Sequence, residues 1–109
     1  MRIAPDAFPE RGYFYRSDHF SFAKAGVPSV SIGEGDTFVG RPPEWGKQQA
    51  EDYTANRYHQ PGDEYSPNWN LTGAVQLSTI VLELTRQLAE SREWPTWSAD
   101  AEFHRAPRM

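Results

Sequence analysis

Between residues 71 and 91 apolar side chains return at three- and four-residue steps: Leu71, Ala74, Leu77, Val81, Leu84 and Leu88. Gln76, Thr79, Glu83, Arg86 and Glu90 fall on the other side. This spacing predicts an amphipathic helix on the order of 30 Å long, at about 1.5 Å per residue. Asn70 precedes it, where a side-chain oxygen can accept from the free amides of the first turn. Ile80 and Leu82 widen the apolar stripe, which implies burial against a large surface.

Upstream the pattern is shorter and more broken. Pro5, Pro9 and Gly12 interrupt residues 1–12, and Tyr13-Phe14-Tyr15 is a brief aromatic run. Ser17 or Asp18 can cap a helix from about His19 to Ala25, with Gly26 as its stop. Val27-Pro28 forces the chain extended, and Ser29-Val30-Ser31-Ile32 alternates as a strand would. Helix, glycine and strand in quick succession predict an αβ unit of a helix-covered sheet. Gly33 to Gly46 reads as a long loop, Lys47 to Asn56 as a short polar surface helix, and 59–69 as another loop. The chain from Trp94 to Met109 is expected to be a loosely ordered tail.

Composition narrows the classes of function. The 109 residues suit one small domain or part of a larger one, and the mean hydropathy of -0.76 marks a polar chain. No apolar run is long enough to cross a bilayer, and no signal peptide is visible before Asp6. A net charge of -4 with no basic stripe disfavours nucleic acid. With no cysteine, thiolate ligands, disulfides and cysteine nucleophiles are all excluded.

Two clusters could carry chemistry. In Asn56-Arg57-Tyr58-His59-Gln60-Pro61-Gly62-Asp63, His59 follows a helix and should project from a loop, where a neutral imidazole can ligate zinc. A surface or hydrogen-bonded histidine is the plainer alternative. Tyr58 is either an interfacial aromatic or a donor to an oxyanion. Arg16-Ser17-Asp18-His19-Phe20 opens the first helix. Asp18 is either a cap or an acceptor that orients a metal-bound group, and His19 a partly buried residue or its companion. Asp63-Glu64 reads as a solvated turn, and His104 receives no role.

Together these segments resemble a known family. RSDHFSFAKAGVPSVSI (Arg16 to Ile32) is similar to the D-H-x-x-F-x-x-x-G-[VI]-P segment of the zinc-dependent aminopeptidase, glutamate carboxypeptidase and glutaminyl cyclase family. RYHQPGDEY (Arg57 to Tyr65) is similar to its Y-H-[TQS]-x-x-D segment. Both occur in the family's order, over roughly residues 10 to 91.

The resemblance implies the C-terminal strand-helix portion (residues 1–93) of a partial three-layer α/β/α sandwich, with its site at loops beyond the strand ends. It implies His59 as a zinc ligand, Tyr58 as the oxyanion donor, and Asp18 and His19 as support behind the site. Gly33, Glu34 and Gly35 would border the substrate pocket. The implied reaction is hydrolysis of a terminal peptide bond by water activated at two zinc ions. Family members often act outside the cytoplasm.

The family's other ligands and its general base precede the D-H segment by a long stretch, whereas only residues 1–17 precede Asp18 here. The expectation is therefore a C-terminal part, inactive alone, whose partners are a peptide substrate and the missing N-terminal portion. The wide apolar face of 71–91 points the same way. Two rivals stand beside it. One is a non-catalytic binding module built on Trp45, Trp69, Trp94 and Trp97. The other is a glutaminyl cyclase-like acyltransferase, against which Tyr58 argues, because tryptophan is expected before the ligand histidine in that branch.

Overall fold

A computed structural model describes residues 1–105. The chain divides into two compact units. One comprises Met1–Gly33 and the chain from Thr85 onward; the other comprises Glu34–Leu84.

In the first unit, 3-10 turns at Pro9–Arg11 and Tyr13–Arg16 lead into α1, His19–Lys24. Asp18 stands at the cap position, but its carboxylate makes no capping hydrogen bond. The carbonyls of Ser17 and Asp18 accept from the Phe20 and Ser21 amides instead. The stop is the predicted one. Gly26 takes φ +84°, its amide donates to the Ala23 carbonyl, and Val27 donates to Phe22. This paired 5→2 and 6→1 closure satisfies two of the last free carbonyls and needs a residue that tolerates the left-handed region.

In the second unit, α2 spans Trp45–Asn56, beginning two residues before the expected Lys47. Trp45 anchors it, meeting the Phe38 ring edge-on at 5.2 Å, with the Arg41 guanidinium over the Trp45 ring at 4.7 Å. The loop before α2 folds back so closely that a Cβ on Gly46 would lie 1.9 Å from the Asp36 carbonyl oxygen. The long helix α3 spans Thr72–Glu90 and runs through the division between the units. The Asn70 side-chain oxygen accepts from the Thr72 amide at 3.0 Å, as the sequence suggests.

The fold class requires correction. No strand occurs among the described residues, so the structure is helical and not an α/β sandwich. Ser29–Ile32 has strand-like alternation but no backbone ladder. Alternation records which side chains suit a pleated surface, whereas a strand exists only through hydrogen bonds to a neighbouring strand. No second extended segment of the described chain offers those bonds.

The predicted burial of α3 is also absent. None of its residues is buried, and Leu82 is 70 % exposed. Ala23 is the one buried apolar residue among those described.

Candidate functional site

The loop after α2 is built by short-range bonds around His59. The Arg57 and Tyr58 amides both donate to the Tyr53 carbonyl, at 2.9 Å each, which ends the helix. The Gln60 amide donates to the Arg57 carbonyl and the Asp63 amide to Gln60. The Gln60 side chain donates back to the Ala55 carbonyl at 3.0 Å, and the Tyr53 hydroxyl donates to Asp63 at 2.8 Å. The Asp63 carboxylate beside the phenol raises the Tyr53 pKa above its ordinary value of 10.0, mainly by accepting that hydrogen bond. Asp63, read from sequence as part of a solvated turn, thus ties the loop to α2.

His59 sits at the apex with φ +57°. A β-carbon makes this left-handed conformation unfavourable by about 1–2 kcal/mol. Its ring lies 3.9 Å from that of Tyr58, with 20° between the planes. Tyr58 also approaches Tyr53 at 6.0 Å. Both Tyr58 and His59 are exposed, and no hydrogen bond occupies the His59 ring nitrogens among the described residues. The loop therefore presents an imidazole and a phenol side by side, with backbone strain at the imidazole. Strain of this kind persists where the surrounding bonds over-determine the conformation.

Asp18 and His19 belong to the first unit. Asp18 is exposed, and His19 is half-buried beside Phe14, ring edge to ring face at 4.6 Å. Its Nε2 is closed off from solvent and has no hydrogen-bond partner.

Of the expected pocket residues, Gly33 and Gly35 are exposed, with open space where a Cβ would lie. Glu34 reaches the start of α3, where a Cβ on Gly73 would be 3.4 Å from its Oε1. A carboxylate beside a helix's first turn is favourably placed toward the N-terminal end of the dipole. Sequence reading did not anticipate this contact or the Tyr53–Asp63 bond, although the helical spacing of Tyr53 before the loop was available as a signal.

A catalytic zinc takes three protein ligands. Among the described residues no group of three or more His, Asp or Glu could hold a metal. The described residues by themselves therefore do not fit a zinc centre, and His59 is suited to supply one ligand at most. No helix among the described residues is long and apolar enough to cross a membrane.

A model of peptidase family M28 matches residues 1–85, a span that includes both the Asp18-His19 and Tyr58-His59 segments. No curated protein and no solved structure matches the chain.

Proposed function

Because the chain belongs to peptidase family M28, we propose that it contributes part of the machinery of a zinc-dependent exopeptidase acting on terminal peptide bonds. In this reading His59 supplies one zinc ligand, and the remaining ligands and the general base come from protein outside these 109 residues. Zinc, two ions in the complete centre, would supply Lewis-acid activation of water and the peptide carbonyl. Tyr58 would donate a hydrogen bond from its phenol O–H to the developing oxyanion. Asp18 and His19 would support the centre from behind, and Gly33, Glu34 and Gly35 would border the substrate.

The observation carrying this reading is the family match across both segments. The strained, unpartnered His59 imidazole beside the Tyr58 phenol supports it. For the binding-module alternative the four tryptophans divide: Trp45 packs on Phe38 and Trp97 donates to the Gly26 carbonyl, whereas Trp69 and Trp94 are exposed.

The test is hydrolysis of an aminoacyl-nitroanilide in zinc-containing buffer. The 109-residue chain alone is expected to be inactive. Supplied with the protein region bearing the other ligands, it should hydrolyse the substrate. Tyr58→Phe should then lower kcat about 10²–10³-fold, the usual effect of removing one oxyanion donor, and His59→Ala should abolish zinc-dependent turnover. Turnover by the lone chain would refute the division of the centre. Full activity of the completed His59→Ala protein would refute the site.

A further inference from the structure

Residues 97–105 lie beyond the span matched by the family model, yet they grip the D-H segment at several independent points. Phe103 stacks on Phe14 at 5.9 Å, meets Phe20 edge-on at 6.1 Å, and tilts against Trp97 at 5.5 Å. Phe14 is the ring that borders His19. Trp97 donates from Nε1 to the Gly26 carbonyl at 3.1 Å, and Tyr15 donates to Glu102. The backbone of His104–Arg105 crosses Gly26 so tightly that a Cβ there would lie 2.7 Å from both the Arg105 Cα and the His104 oxygen. Gly26 thus does two jobs: it ends α1, and it forms the notch that admits the returning chain.

We propose that residues 97–105 form a clasp that positions the His19 imidazole, with Trp97 and Phe103 as its positioning residues and Gly26 as its seat. The chain of contacts runs from Phe103 through Phe14 to the imidazole. It explains why Nε2 of a half-buried histidine is closed to solvent without a partner. A ring held this way is fixed by packing rather than by a hydrogen bond at Nε2. The bearing of this on catalysis rests on the role proposed above for Asp18 and His19; the clasp itself does not.

The test is carbethoxylation of the histidines in the whole 109-residue chain, followed residue by residue by peptide mapping. The exposed His59 serves as internal standard. Reaction at a covered ring proceeds through local opening, so its rate follows the open population. His19 should react about tenfold more slowly than His59. Phe103→Ala and Gly26→Ala should each raise the His19 rate toward that of His59, leaving His59 unchanged. Trp97→Phe, which keeps an aromatic ring and removes only the N–H donor, should give a smaller rise with the helical circular dichroism intact. A His19 rate equal to that of His59 in the unmodified chain overturns the proposal. So does a rate insensitive to both Phe103→Ala and Gly26→Ala, or a rise in Trp97→Phe that comes only with loss of helix. The readout involves neither metal nor peptide hydrolysis, so its failure leaves the peptidase reading standing, and the reverse also holds.

Discussion

His59 carries a local conflict that no helix or strand pattern would reveal: a β-carbon residue at φ +57°. Glycine meets no Cβ clash in that region, although ordering it costs more backbone entropy. His59→Gly should therefore stabilise the loop by roughly 1 kcal/mol, the lower end of the left-handed penalty, whereas His59→Ala should not. Urea unfolding of the two variants checks this, and equal midpoints would show that the strain is not there to relieve. The neighbouring Tyr53 gives a pH-dependent signature. Its pKa is raised in the folded chain because the Asp63 carboxylate accepts the phenol's hydrogen bond. A raised pKa means the folded state favours the protonated phenol. The contribution is therefore full below the unfolded value near 10 and is lost as pH climbs through the folded one. Phenolate absorbance should show Tyr53 titrating late, and Asp63→Ala should return it to the ordinary range. Tyr15 should behave likewise, through its hydrogen bond to Glu102.

At the scale of elements, two helical glycines make opposite forecasts. Glycine inside a helix ordinarily costs about 0.5–1 kcal/mol relative to alanine. Gly73 has room for a Cβ at 3.4 Å from the flexible end of Glu34, so Gly73→Ala should raise stability by up to that amount. Gly46 has none, because the Asp36 backbone oxygen lies 1.9 Å from the Cβ position. Gly46→Ala should cost about 1–3 kcal/mol, the usual range for overpacking, and should loosen Trp45 from Phe38. Thermal unfolding of the pair, with tryptophan fluorescence, separates the two cases. The helices themselves could be read from the chain in advance. Gly26, Asn70 and the 3.6-residue period act over one or two turns, and α1 and α3 begin and end within about a residue of where those signals place them. The αβ unit could not be read this way. Ser29–Ile32 satisfies the local requirement for a strand but not the non-local one.

For the molecule as a whole, the governing fact is what α3 leaves open. Counting about 100° per residue, its apolar positions from Ile80 round to Val75 cover roughly 220° of the circumference, and none of them is buried. A groove lined by Leu71, Val75 and Leu82 runs along it within the second unit. Truncating a buried leucine costs about 2–5 kcal/mol, while surface substitutions usually stay within about 0.5 kcal/mol. Leu82→Glu should fall in the second class and should also lower binding of a hydrophobic dye. A loss of several kcal/mol would show that the face is covered in solution.

The sequence by itself determined the family, the spans of α1 and α3 with the Gly26 stop and the Asn70 cap, and the pairing of Tyr58 with His59. The helix signals and the pairing depend on residues a few positions apart, where propensity and spacing act directly, and the family on two such short segments in order. Tertiary structure alone decided that Gly46 and Gly26 are notches, that His59 is strained, and that Phe103, Trp97 and Glu102 return to the first helix. Trp97 lies 71 positions from Gly26, and Glu102 lies 87 from Tyr15. Contacts across such separations depend on where the intervening chain goes, which no local period encodes.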